Sequence, residues 1–278
     1  MGYFILLDLD GTLLTDDKRI QKEDIKRIQQ FKEKGHQVAI ATGRRYYSAR
    51  EILNRYDLKL PIIANNGAIL RDEKDQLLYR KPISLDLIQG IIDRSQFFDV
   101  YPVFHIDGFY QTYDMIYHTR DFNCEVLDYL RDEPLRVLKI RDYKNLHDQV
   151  ILSAIYFGLD YELKDFQQEL TQSYPGMLSM HILRNLDNHF GILEIMPEKV
   201  DKYSGALRLA KNFHKTSDAM VTVGDDVNDL TLITRAKVGI AMKNAAPELK
   251  EAANFISDYD NNHCGATECV EKFLKGGF

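Results

Sequence analysis

The chain has 278 residues, 45% of them hydrophobic, with a formal net charge of −6 and a pI near 5.8. That length holds one large domain or two of ordinary size, and the mild acidity argues against a dedicated nucleic-acid binder, whose footprint is a basic patch. Cys124, Cys264 and Cys269 give no disulfide framework, no apolar run reaches the roughly 18 residues of a membrane span, and no basic segment precedes Asp8, so a cytoplasmic protein without a signal peptide is expected.

Phe4-Ile5-Leu6-Leu7 is a short apolar run of strand length, and Asp8-Leu9-Asp10-Gly11-Thr12 follows directly. A buried strand that ends on charge is costly unless the charges face a ligand or a metal. Side chains two apart on an extended chain point the same way, so Asp8 and Asp10 can converge on one ion, and Gly11 lets the chain turn. Ile25, Ile28 and Phe31 then fall at helical spacing, with Gly35 as the expected cap. Val38–Ala41 reads as a strand ending in Thr42-Gly43-Arg44. A helix through Ala49, Ile52, Leu53 and Tyr56 leads to a third strand, Pro61–Ala64, which ends in Asn65-Asn66-Gly67. Strand and helix in alternation predict a parallel sheet with crossover helices, whose ligands bind beyond the carboxyl ends of the strands.

The texture changes after Lys81-Pro82. Residues 83–196 are rich in Tyr and Phe, with helix-like pieces at Leu85–Arg94 and Leu163–Leu170. Strand-like pieces lie at Val100–Phe104, Phe109–Thr112, Val150–Phe157, Met177–Leu183 and Gly191–Met196, with an Asp107-Gly108 hairpin turn. The alternation then resumes with a helix over Lys202–Phe213, a strand at Met220–Val223 ending in Gly224-Asp225-Asp226-Val227-Asn228-Asp229, and strands at Val238–Ala241 and Phe255–Ile256. The expected fold is α/β: a Rossmann-like, doubly wound, mostly parallel core from residues 1–82 and 197–278, with residues 83–196 inserted as an α+β domain.

Asp8 and Asp10, Thr42-Gly43, and Asp225 with Asn228 and Asp229 all fall at predicted strand ends, and Lys202 opens a helix. Hard oxygen ligands with no His or Cys beside them favour magnesium. A hydroxyl, a small residue with a free N–H and a lysine suit a phosphate group. Together they imply phosphoryl transfer.

These motifs, in this order, resemble those of the haloacid dehalogenase (HAD) superfamily, in its Cof-type phosphatase branch with a large α/β cap. The resemblance covers nearly the whole chain. It rests on Asp8-Leu9-Asp10-Gly11-Thr12, Thr42-Gly43-Arg44, Lys202 and Gly224-Asp225-Asp226-Val227-Asn228-Asp229. Ala241-Met242-Lys243-Asn244-Ala245 is similar to the family's AMGNA stretch with Lys243 in place of glycine, and Asn262-His263-Cys264-Gly265 departs from its frequent EDGV. The resemblance implies that Asp8 is the nucleophile and Asp10 the acid and base. It implies that Asp8, the Asp10 carbonyl and Asp225 hold Mg2+, and that the N–H groups of Leu9 and Gly43, with Thr42, Lys202 and Asn228, hold phosphate. Asp229 would orient Lys202 or a metal-bound water, and the insert would be the cap.

Each member has a bland alternative. Asp-Gly is a common turn pair, Thr42 can merely end a strand, and a lysine such as Lys202 is usually solvated. Asp225 and Asp226 suit a helix N-terminus, and Asp226 is placed in that class. Arg44, Arg45 and Asn66 stay open between packing and substrate contact, and His105, Tyr110, Arg184, Asn188 and His189 are candidates for a leaving-group pocket. The expected function is Mg2+-dependent hydrolysis of small phosphate monoesters, sugar phosphates or similar metabolites, through an aspartyl-phosphate. The alternatives are a phosphomutase or phosphotransferase of the same branch, or a non-enzymatic phosphate-ligand sensor, against which intact Asp8 and Asp10 argue. No nucleic-acid or membrane partner is expected.

Overall fold

The computed structural model describes residues 2–120, 122–131, 136–184 and 190–277. The chain divides into two units, residues 1–79 with 201–278 and residues 80–200. The first begins with β1 (Phe4–Leu7), whose four side chains are wholly buried. A strand covered on both faces needs no polar alternation, which is why it reads as a continuous apolar run. A tight bend at Asp8–Leu13 follows. Next come α1 (Lys22–Glu33), β2 (Gln37–Ala41), α2 (Tyr46–Asn54), β3 (Ile62–Ala64), β4 (Ile69–Arg71) and β5 (Leu77–Arg80). Gly35, at φ 83°, stands just beyond α1, and the His36 N–H donates to the Phe31 carbonyl at 3.0 Å, closing the helix end. Tyr56 lies past the end of α2, where its hydroxyl accepts from the Ile20 N–H at 3.1 Å.

The second unit contains α3 (Leu85–Ser95), β6 (Tyr101–Ile106), β7 (Met115–His118), α4 (Cys124–Arg131) and β8 (Val137–Ile140). It continues with β9 (Ile151–Leu159), α5 (Asp160–Ser173), β10 (Leu178–Arg184) and β11 (Phe190–Pro197). Its sheet runs β10-β11-β9-β6-β7-β8, antiparallel except for the parallel β7–β8 pair. Phe109–Thr112 is not a strand; it belongs to the loop of the β6–β7 hairpin, and Tyr110 is 77% exposed there. His105 is buried on β6, with its ring nitrogens against the Tyr129 hydroxyl at 2.8 Å and the Ser153 hydroxyl at 3.3 Å. Arg184 ends β10, while Asn188 and His189 lie outside the described residues.

The chain returns to the first unit through α6 (Lys202–Asn212), β12 (Met220–Gly224), α7 (Leu230–Arg235), β13 (Val238–Ala241), α8 (Pro247–Ala252), β14 (Phe255–Ile256) and α9 (Gly265–Leu274). The sheet order is β14-β13-β12-β1-β2-β3-β4-β5. Strands β1, β2, β3, β12, β13 and β14 are parallel, and β4 turns back against β3. On one face Phe4, Leu6, Ala39 and Ala41 pack against Ala206, Leu209 and Ala210 of α6, with Leu232 of α7. On the other, α1 and α9 pack against β2, β12 and each other. β1 therefore lies between β2, which follows it in the chain, and β12, which arrives from the far end. That reversal opens a crevice beyond its carboxyl end.

Candidate active site

Three loops meet in that crevice: Asp8–Leu13 after β1, Thr42–Arg45 after β2, and Asp225–Asp229 after β12. A cleft of about 260 Å³ is lined by Asp8, Asp10, Gly11, Thr42, Gly43, Arg44, Asp225, Asp226 and Asn228. Gly11 makes the convergence possible. Its φ of 67° suits glycine, and a Cβ there would stand 2.1 Å from Asp225 Oδ2, so the first and third loops touch with no room for a side chain. Thr12, the next residue, donates its hydroxyl to Asp225 Oδ1 at 2.8 Å.

Lys202 sits behind the cleft, not in its lining. Asp201 caps α6 by accepting from the Ser204 N–H, and Lys202 follows on the first turn. Here α6 packs backbone to backbone on the Asn65–Gly67 turn, since a Cβ on Gly67 would meet the Asp201 carbonyl at 2.3 Å. From that fixed point Lys202 Nζ donates to Asp8 Oδ1 and to Asp229 Oδ1, each at 2.8 Å, and all three residues are at most 5% exposed. Asp229 Oδ2 accepts from the main-chain N–H groups of Asp225 and Asp226 at 3.3 and 3.4 Å, tying the third loop to the lysine.

Burial pushes the Asp8 carboxyl well above its usual range. The ammonium of Lys202 opposes that shift, and the nearby Asp229 and Asp225 reinforce it. Burial would likewise strip the proton from Lys202, but Asp229 and Asp8 hold it, and its affinity for the proton rises. Asp225 is pushed up to about 7 by burial and by Asp229. Asp8, Asp225 and Asp229 place carboxylate oxygens within 4.8 Å of one another. When ionised, these three carboxylates exceed the one ammonium by two negative charges, which is the charge of one divalent cation. The donors are all oxygen, as magnesium requires. The set fits a magnesium ion.

A pH prediction follows for metal-free protein. The folded state binds a proton on Asp225 up to about pH 7, whereas a free aspartate loses it near 3.8. Between those values the folded state binds more protons, so stability falls as pH rises. Calorimetric melting in EDTA should show Tm dropping from about pH 5 to pH 7.5, with a smaller drop in Asp225→Asn. Equal slopes in the two proteins would count against the charge cluster.

Asp10 differs from Asp8. Burial opposes its ionisation, but Arg44 and Lys18 outweigh that and hold the carboxyl below its usual range. Arg44 contacts both oxygens, at 2.5 and 2.7 Å, and Lys18 Nζ lies 2.7 Å from Oδ1. Thr42 is buried, and its hydroxyl accepts from the Arg44 N–H at 3.2 Å. Asn228 donates its amide to Asn66 Oδ1 at 3.1 Å, and a Cβ on Gly43 would crowd both asparagines at 3.3 to 3.4 Å. Asn66 stands in the left-handed region at φ 49°, beside Asn65 at 46°; non-glycine residues so placed often mark functional turns. Leu9, the next residue after Asp8 in the chain, is buried. The fold thus gathers Asp8, Asp10, Thr42, Gly43, Asp225 and Asn228 around one cleft and backs it with Lys202 and Asp229. Lys18 joins them without having been singled out by spacing, since its contact with Asp10 crosses a loop, while Asn66, open on sequence between packing and substrate contact, accepts from the Asn228 amide.

A family model described as haloacid dehalogenase-like hydrolase matches residues 5–267. The chain belongs to the haloacid dehalogenase-like hydrolases. It is an enzyme of the family's Cof-type phosphatase branch. It is 26% identical over 280 residues to the 5-amino-6-(5-phospho-D-ribitylamino)uracil phosphatase YitU of Bacillus subtilis, covering 99% of this chain and 97% of that one. It is also 24% identical to the phosphatase YwpJ of the same organism, covering 93% and 95% of the two chains. Among solved structures, TM0651 from Thermotoga maritima superposes with a TM-score of 0.80 over 98% of this chain and 97% of its own, at 24% identity, a likeness of fold. Among the described residues of this HAD-like hydrolase, no helix is long and apolar enough to cross a membrane.

Proposed function

We propose that this hydrolase releases phosphate from small phosphate monoesters through an aspartyl-phosphate on Asp8, with Mg2+ as cofactor. One observation carries the reading. Asp8 lines the cleft, yet its Oδ1 is held 2.8 Å from a buried lysine. One oxygen is therefore anchored, leaving the other to attack in a fixed direction, as nucleophilic catalysis by a carboxylate requires.

A carboxylate approaching a phosphate dianion meets repulsion of roughly 4 kcal/mol per unit-charge pair at 4 Å and an effective dielectric constant of 20. Lys202 offsets part of it. Asp8, Asp225 and the Asp10 carbonyl would hold the magnesium ion, with Asp229 close by; when bound, it neutralises charge on the phosphoryl oxygens. Thr42, the N–H groups of Leu9 and Gly43, and Asn228 would hold those oxygens, with Asn66 steadying the Asn228 amide. The Asp8 oxygen attacks phosphorus, the ester oxygen leaves with a proton from Asp10, and water activated by Asp10 then displaces Asp8 and frees phosphate. The Arg44 and Lys18 pairs favour the base role of Asp10. For Asp10 to act as the acid, those cations must disengage and let it take up a proton.

The YitU relative is named for an ester of a polyol carried on a heterocycle, which supports sugar and polyol phosphates as the substrate class. Residues 80–200 are proposed as the cap that selects the leaving group. The test is phosphate release from a panel of such esters with Mg2+, expected to be fastest for sugar or polyol phosphates. Formation of an isomeric sugar phosphate without phosphate release would favour the mutase reading instead, and inertness towards the whole panel would refute the proposal.

A further inference from the structure

The loops that bring carboxylates into the cleft are gripped by a turn that lines none of it. The turn Met242–Ala246 follows β13, and its backbone holds the third loop: the Met242 N–H donates to the Gly224 carbonyl at 2.9 Å and the Ala246 N–H to the Asp225 carbonyl at 2.8 Å. Its Asn244 side chain reaches the first loop, where Asn244 Nδ2 donates to the Gly11 carbonyl at 2.8 Å. The orientation of that amide is dictated by its partners. The Asn261 N–H, which can only donate, meets Asn244 Oδ1 at 3.2 Å, so the nitrogen faces a carbonyl that can only accept. Asn261 is itself fixed, being buried and donating its amide to the Leu14 carbonyl at 3.0 Å and to Asp16 Oδ1 at 2.9 Å.

The carbonyl held by Asn244 belongs to the peptide that joins Gly11 to Thr12. That peptide aims the Thr12 hydroxyl at Asp225 Oδ1, and it presses Gly11 against Asp225 Oδ2 with no space for a Cβ. We infer that Asn244 is a positioning residue for the cation site, acting through the Gly11–Thr12 peptide to set where the Asp225 carboxylate stands relative to Asp8. The inference rests on the magnesium reading above. It gives the Asn of the Ala241–Ala245 stretch a task that no contact with substrate or metal supplies, and it explains why that stretch is built around an amide. A carboxylate at this position would set an acceptor against the Gly11 carbonyl.

The test measures magnesium binding by calorimetry with the metal alone, on whole protein stripped with EDTA. Asn244→Ala and the neutral, similarly sized Asn244→Leu should each raise the Kd for Mg2+ about tenfold, equivalent to about 1.4 kcal/mol, with the metal-free Tm changed by less than about 2 °C because Asn244 is exposed. Thr12→Val should weaken binding to a similar degree. The double variant Thr12→Val/Asn244→Ala should be no more than about twofold weaker than the worse single one, since both act through one peptide. Wild-type affinity in both Asn244 variants, or losses that multiply in the double variant, would overturn the inference. Wild-type protein that bound Mg2+ yet hydrolysed no ester would refute the proposed function while these variants still decided this one.

Discussion

Asp8→Asn is expected to remove turnover, by on the order of 10⁴-fold or more, while the fold survives. An amide cannot form the acyl phosphate, so what remains is only what the rest of the cleft can do for direct attack by water. The fold should survive because of the neighbours of Asp8. Lys202 keeps its second carboxylate, Asp229, at 2.8 Å, and one of three mutually repelling acids is gone. Metal-free Asp8→Asn should therefore melt no lower than wild type above about pH 7, where Asp225 is ionised. Phosphate release near the wild-type rate, with deamidation excluded by mass spectrometry, would refute the nucleophile assignment.

The second large effect belongs to Lys202. Replacing it with methionine keeps the bulk and removes the charge, leaving Asp8 and Asp229 buried without their shared cation. Breaking a buried pair by removing one partner costs about 3–5 kcal/mol. In Lys202→Met, Asp8, whose carboxyl burial already pushes above its usual range, can recover part of this by taking up a proton, so the loss of stability should be greatest at neutral pH and above. The rate should fall for every ester alike, by about 10²–10³-fold as for loss of a preorganised transition-state donor, because the lysine acts on the phosphoryl end. Lys202→Met/Asp229→Asn should regain much of the lost stability and none of the lost rate. Chemical denaturation with kcat/KM for several esters tests both halves. A double variant as unstable as the single one, or a single variant that reranks substrates, would contradict this role.

The core of the fold and most of the residues that meet in the cleft were legible from residue order because both rest on short-range patterns. A strand buried on both faces is a run such as Phe4–Leu7, and carboxylates that follow such a run have few inexpensive structural uses. The second unit was harder to read. Phe109–Thr112 has the aromatic content of a strand, but β-propensity reports packing against neighbours, and these residues have turned out into a hairpin loop. β5 escaped notice because Leu77 and Leu78 are both exposed, which leaves no alternation to see. α4 carries only Val126 and Leu130 as buried anchors, a signal too sparse to stand out. In the site, spacing picked out Asp10 but not the Arg44 and Lys18 pairs that keep it ionised, and not the Asn66–Asn228 or Asn244–Gly11 contacts. These join loops 34, 8, 162 and 233 residues apart, and no local pattern encodes them.

In the proposed reaction phosphate passes through Asp8 before it reaches water. Each in-line displacement at phosphorus inverts its configuration, so two successive displacements restore it. Hydrolysis of an oxygen-isotope-chiral phosphorothioate ester in isotopically labelled water reads this directly from the stereochemistry of the released thiophosphate. Net retention is the predicted result; net inversion would mean a single attack by water and would contradict an aspartyl-phosphate on Asp8.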